Sequence, residues 1–198
     1  MIAFPQNISL EDERVLLRPL QENDIEFLLP FALNEPETWY YSLISPAGED
    51  GMKKYISTTI KQREAQIEYP FIVFDKKTNT YAGSTRFYDI QLNNLTTQLG
   101  YTWYGKEFRR SGLNRHCKLL MLTYAFEEWG MERVEFRADA RNEKSVNAMK
   151  AIGCVVEGVL RSHSRIEAGG RRDSIILSIL KNEWFNGVKH RLTEKIDY

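Results

Sequence analysis

Cysteine is scarce in this chain: there are two in 198 residues, Cys117 and Cys154, and no Cys-x-x-Cys pair. The three histidines, His116, His163 and His190, are scattered. These counts exclude a disulfide framework or a zinc knuckle as the organising element; no metal is expected, and a reducing cytoplasm suits the thiols. Net charge is missing too, because 27 lysines and arginines balance 27 aspartates and glutamates. The chain as a whole is therefore no polycation built to coat nucleic acid or anionic lipid, and any anion site has to be local. No apolar run approaches the roughly 20 residues that span a bilayer. The opening MIAFPQNISLEDERVLL lacks a basic stretch ahead of an apolar core, so a soluble, unexported protein without a membrane partner is expected. Also absent are the Gly-Lys-Ser/Thr ending of a P-loop and the dinucleotide glycine fingerprint, which sets aside nucleoside triphosphatase and Rossmann chemistry.

What is present reads as one compact domain, a size that buries about 70% of the surface an unfolded chain exposes. A short strand over 14–20 is halted by Pro19, and Asn23 or Asp24 caps a helix through Leu29. An aromatic, proline-interrupted loop covers 35–41, and helical spacing of Met52, Tyr55, Ile56 and Ile60 predicts a helix over 49–66. Two β-rich runs, 69–74 and 81–90, flank the turn-forming DKKTNT and predict an antiparallel hairpin, with a third strand over 96–104. A largely buried helix is expected from Gly112 to Trp129, ended by Gly130. Then come a strand at 133–138, a helix at 142–152 closed by Gly153, strands at 155–166 and 173–180, and a last helix over 183–193. Interleaved strands and helices imply an α/β (α+β) domain around a mixed sheet of about seven strands.

The stretch LGYTWYGKEFRRSGLNR, residues 99–115, carries the clearest chemistry. An aromatic strand breaks into a basic, glycine-containing turn and then a helix. Arg109, Arg110, Ser111, Gly112, Leu113 and Asn114 lie where unpaired helix amides point outward, and those amides with the helix dipole attract an anion. Gly112 lets a phosphate approach the main chain closely. Taken alone, this turn also reads as a solvated serine cap.

Several motifs together resemble the GNAT superfamily of acyl-CoA-dependent N-acetyltransferases, and within it the RimJ/RimL-like branch, over nearly the whole chain. They are RVLLRPLQENDIEFL, YTWYGKEFRRSGLN, RVEFRADARNEKSVNAMKAIGCVVEGVLRSH and RRDSIILSILKNEW. The resemblance implies a mostly antiparallel sheet flanked by helices, with a V-shaped splay between the strand ending near Trp103 and the strand at 133–138. It implies acetyl-CoA as acyl donor. Backbone groups of Gly100, Tyr101, Thr102 and Trp103 would bind the pantetheine, and the 109–114 turn would hold the pyrophosphate. Asn142 would position the thioester region and Ser145 would sit near the sulfur. Two positions depart from the pattern: Asn114 replaces a small residue, and Cys154 replaces an aromatic one.

The implied chemistry is direct attack of a primary amine on the thioester, with a main-chain amide near Tyr101 or Trp103 as oxyanion donor and Ser145 as proton donor to the thiolate. For the base, Glu157 and His163 are candidates, since alternation places 157, 159, 161 and 163 on one strand face; Glu157 is the one named, and pairing with Arg161 is its bland alternative. Trp39, Tyr40, Arg86 and Tyr88 are expected to line the acceptor pocket, core packing being the alternative for the aromatics. Cys117 reads as packing, and neither cysteine is taken as a nucleophile. The acceptor is a protein N-terminus or a small amine, and a homodimer through strand 173–180 and the last helix is possible. Two other function classes compete. One is a nucleic-acid binder using Lys106, Arg109, Arg110, Arg115 and Lys118 with Trp103 and Tyr104 for stacking; the other is a catalytically silent CoA sensor.

Overall fold

A computed structural model of the protein describes residues 3–5, 7–166 and 170–196. Eight strands form one sheet in the order β1-β2-β3-β4-β5-β6-β8-β7. They are β1 (Leu10–Glu11), β2 (Val15–Pro19), β3 (Tyr69–Asp75), β4 (Thr80–Gln91), β5 (Thr96–Tyr104), β6 (Arg133–Asp139), β7 (Val155–Arg165) and β8 (Arg171–Leu180). All neighbours are antiparallel except β5 and β6, which run parallel. The one strand beyond the seven expected is β1, two residues paired to β2, too short to leave a periodic signal.

Helices α1 (Ile25–Asn34) and α2 (Gly48–Glu64) join β2 to β3 across one face of the sheet. There Leu28, Ala32, Met52, Tyr55, Ile56 and Ile60 pack with Ile72 and Trp103. Helices α3 (Leu113–Thr123) and α4 (Glu143–Ala151), with the chain end α5 (Lys181–Glu183) and α6 (Lys189–Glu194), cover the opposite face. Leu113, Cys117 and Met121, four residues apart, present one stripe to Phe71, Phe87 and Leu99 in that larger core. Alternation along β3 divides Phe71 and Val73 from Ile72, so one strand serves both cores. No helix among the described residues is long and apolar enough to cross a membrane.

Two expected helices are interrupted. After α3 the chain widens into a π turn, Tyr124–Glu128, in which the Trp129 N–H donates to the Tyr124 carbonyl at 2.8 Å. The extra residue carries Trp129 to within 5.5 Å of the Phe87 ring. The last helix breaks at a second π turn, Trp184–Val188, where Gly187 takes φ +136°.

One glycine fixes how closely β4 and β5 approach. A Cβ on Gly83, at φ +154°, would lie 2.1 Å from the Trp103 carbonyl oxygen. Gly83→Ala is therefore expected to cost about 2–3 kcal/mol, read as a melting temperature lower by roughly 5–10 °C. Gly158→Ala, where nothing lies within 4 Å of the added carbon, is the control and stays within about 0.5 kcal/mol. Equal melting temperatures for the two variants would refute the close-approach argument.

Candidate active site

β5 and β6 are paired through three residues, Thr96 with Arg133, Thr97 with Val134 and Gln98 with Glu135. Beyond these, the strands continue to Tyr104 and Asp139 without pairing to each other. The other edge of β5 stays on β4, but the register jumps between Ser84 and Arg86, opposite Trp103 and Gly100, and Tyr101 takes φ +47°. This bulge interrupts the regular ladder where the pair has opened. The expected splay is therefore present, with its mouth at the carboxyl ends of two parallel strands, a common place for a ligand.

Both following helices start at that mouth. Gly112, at φ +88°, is the N-cap of α3, and nothing lies within 4 Å of where its Cβ would be. Ser111 Oγ donates to the Phe108 carbonyl at 2.6 Å, and Arg109 donates to Thr38 Oγ1 at 2.7 Å and to the Tyr104 carbonyl at 3.2 Å, so the turn is held from both sides. Asn114 does not crowd it: its side-chain oxygen accepts from the Tyr104 hydroxyl at 3.2 Å. On the other arm, Asn142 caps α4 by accepting the Ser145 N–H at 3.1 Å. Asp139, at the end of β6, grips Arg141 through its backbone N–H, Nε and Nη2 at 2.7–3.0 Å and so sets the turn into α4.

On the α1/α2 face lies a polar cluster. The buried Arg86 guanidinium pairs with Glu68 and stands 3.9 Å from the Tyr101 ring centroid and 5.1 Å from that of Tyr55. Tyr88 stacks edge-on to Tyr101 at 4.9 Å, and burial pushes both phenols above their ordinary range. Arg172 reaches the same region, donating to Ser174 Oγ and the Tyr41 carbonyl. Arg86 and Tyr88 thus meet at Tyr101. Trp39 does not: it is buried edge-on against Trp103 at 5.1 Å in the smaller core, while Tyr40 is 75% exposed beside Tyr41.

The two base candidates separate. The alternation that placed them together breaks at register shifts after Val156 and after Leu160. Glu157 lies at the closed end of the splay, ion-paired with Arg133 and accepting from Ser178 Oγ at 2.5 Å; these partners hold its carboxyl below the usual range. Six residue steps along β6, about 20 Å of strand, separate Arg133 from Asp139 at the mouth. Its expected partner Arg161 is not its contact. His163, by contrast, bonds through Nδ1 to Ser174 Oγ at 3.0 Å, and Ser174 faces Asp139 in the register. Desolvation first, then Arg137, Arg172 and Arg171, keep the imidazole below its ordinary value and so neutral near pH 7.

Other readings lose support. Burial pushes both thiols up to about 12, which leaves them protonated. The proposed nucleic-acid patch is dismantled: Lys106 pairs with Glu37, Arg115 donates to the Lys195 carbonyl, Lys118 is buried, and Trp103 is packed inside. Sequence reasoning missed Glu68, Tyr55 and Arg172, which share no motif and gather around Arg86 and Tyr101 only through strand pairing and helix packing, and it missed the burial of Lys118 on the opposite face.

A family model described as "Acetyltransferase (GNAT) domain" matches residues 14–155. A Bacillus subtilis (strain 168) protein named "Putative ribosomal N-acetyltransferase YdaF" is 26% identical over 178 residues, covering 87% of this chain and 94% of that one. Among solved structures, a GCN5-related N-acetyltransferase from Brucella melitensis superposes with TM-score 0.89 at 22% identity, covering 98% of this chain and 87% of that one. A ribosomal-protein-S5-alanine acetyltransferase from Vibrio fischeri gives 0.73 at 21%, covering 90% and 99%.

The Arg141 hydrogen bonds, working against desolvation, hold the Asp139 carboxyl below its ordinary range. Asp139 therefore stabilises the fold above about pH 4, and that contribution is lost as pH falls through the depressed folded value. Asp139→Asn is expected to lower the melting temperature near neutrality and to lose less than the parent on acidification from about pH 5 to about pH 2. Parallel melting-temperature profiles for the two proteins would contradict this role.

Proposed function

Because the chain belongs to the GNAT acetyltransferase family, we propose that it moves the acetyl group of acetyl-CoA onto a primary amine by direct attack. The names of its relatives support the RimJ/RimL-like branch. The observation that carries the donor assignment is the parting of β5 from β6 beside the left-handed Gly112 turn. The residues present fit a long, flexible donor ending in phosphates. The open edge of β5 over Tyr101, Thr102 and Trp103 would take its amide arm, and the amides of the 109–114 turn, with Arg109 and Arg110, would take its pyrophosphate. Asn142 and Ser145, at the head of α4, would flank the thioester.

Within this reading, main-chain N–H groups of the bulged Tyr101–Trp103 segment stabilise the tetrahedral oxyanion. Ser145 hydrogen-bonds the departing sulfur. His163 replaces Glu157 as the group that takes the proton of the attacking amine. With Nδ1 engaged by hydroxyls, its other nitrogen is available, and desolvation with the neighbouring arginines depresses its value, which favours the unprotonated base. Arg86, Tyr88 and Tyr40 remain the acceptor-side residues, and Trp39 acts by supporting Trp103.

The acceptor we favour is the amino terminus of a protein, on the strength of the ribosomal substrates in the names of two relatives; a small amine is the second reading. A homodimer remains part of the proposal, but by a different edge. β8 lies inside the sheet, whereas β7 is an edge strand exposing Val155, Val156, Val159 and Leu160. Two free buried thiols fit a reducing cytoplasm.

Calorimetric titration with acetyl-CoA, with ATP and a short RNA as controls, tests the donor. Gly112→Glu is expected to weaken acetyl-CoA binding at least about tenfold through charge and steric conflict, while Ser145→Ala lowers kcat roughly ten- to a hundredfold with donor affinity nearly unchanged. Unaltered acetyl-CoA affinity in Gly112→Glu, or salt-sensitive RNA binding in place of acetyl-CoA binding, would overturn the assignment.

A further inference from the structure

Lys118 is a buried ammonium with no carboxylate beside it among the described residues. Its residue is 5% exposed, and its Nζ donates a hydrogen bond to Thr102 Oγ1 at 2.8 Å. Thr102 in turn shares its hydroxyl with Thr85 Oγ1 at 2.7 Å. An ammonium has three donors, and one is accounted for. Among the described residues no Asp or Glu forms an ion pair with it, and the titratable groups acting on it are two thiols, Cys117 of its own helix and Cys154 just beyond α4, both protonated. Desolvation brings the amine down to about 8. Burying a single charge costs several kcal/mol when nothing pairs with it.

The placement says what kind of partner is missing. Thr102 belongs to the stretch of β5 that has left β6, so the ammonium stands against the parted arm of β5, with Cys154, on the segment after α4, close enough to act on it electrostatically. It lies six residues below Gly112, about 9 Å along the helix, and so beneath the phosphate turn rather than in it. We propose that Lys118 is the cationic partner of the acyl donor's sulfur, holding the leaving group as a thiolate.

This rests on the acetyl-CoA reading given above. When the amine nitrogen bonds to the acetyl carbon and the tetrahedral adduct collapses, the C–S bond breaks and its electron pair stays on sulfur. The nitrogen's proton passes through His163 to solvent, and the thiolate pairs with the Lys118 ammonium until it departs. Thr102 positions the ammonium by accepting a hydrogen bond from it. The charge that is costly in the free enzyme is thereby matched at the step in which charge develops on the leaving group.

The test reads the thiol directly, by ultraviolet thiolate absorbance of bound CoA against pH, with calorimetry to establish saturation. In the unaltered protein, bound CoA should carry at least about tenfold more thiolate at a given pH below its free value than CoA in solution. Lys118→Met, which keeps the length and removes the charge, should abolish that gain, and Lys118→Arg should retain most of it. CoA that binds with an unshifted thiol, or a shift that survives Lys118→Met, would overturn the proposal and leave the acetyl-CoA assignment standing. Failure of CoA to bind the unaltered protein would overturn both. Should Lys118→Met not fold, Thr102→Val gives the second arm: a smaller thiolate gain supports the proposal, and an undiminished one refutes the role given to Thr102.

Discussion

Two parallel strands that part after three paired residues impose the rest of this architecture. A strand edge left open inside a sheet exposes peptide groups that need partners. Here the described residues do not supply them: past Gln98 and Glu135 each strand is held among these residues only by its outer neighbour, β5 by β4 and β6 by β8. The gap persists because the two arms belong to different mechanical units. One arm is tied through Gly83 and the bulge to β4, the other through a seven-residue register to β8. Each ends in a helix whose first turn faces the same mouth, so one interruption of pairing gathers two helix N-termini, a bulged strand and a buried ammonium.

Division of the core into two clusters keeps that opening stable. The larger cluster fills the side of α3 and α4, and the smaller fills the side of α1 and α2. Trp103 belongs to the smaller one, wedged by Trp39 and Phe31, so the free edge of β5 is stiffened from behind by aromatic packing rather than by a neighbouring strand. The polar cluster around Arg86 lies on that same side, and there the site gives up hydrophobic burial for charge.

Local periodicity and local turns were legible in the sequence, and long-range meetings were not. The β3–β4 hairpin, α2 and the Gly112 turn followed from spacing that each segment carries within itself. Asn142 and Ser145 were legible through a motif, and the cap between them is a local hydrogen bond. The π turns at Tyr124–Glu128 and Trp184–Val188 were not, because adding one residue to a helix leaves composition unchanged. Trp39 gave no sign of which face it would take, and tertiary packing decided it. The pairing of Glu157 with Arg133 depends on a β7 register that shifts twice, which strict alternation does not anticipate. Lys118 looked like one more surface cation in a basic run, since nothing in its neighbours in sequence reveals its burial or its bond to Thr102.

The contact between the Tyr104 hydroxyl and Asn114 has a meaning for how such a turn changes over generations. A bulky polar residue, at a position where the resemblance implied a small one, is accommodated because a phenol ten residues earlier folds it back against the strand. The two positions then form a heritable unit. Loss of the phenol alone would release the amide side chain into the turn, whereas glycine at 114 would leave the buried phenol with only the Cys117 thiol as a side-chain partner. Descendants of this chain should exchange the pair together or keep both, and the order in which the two changes arise is constrained by which intermediate can still bind its donor.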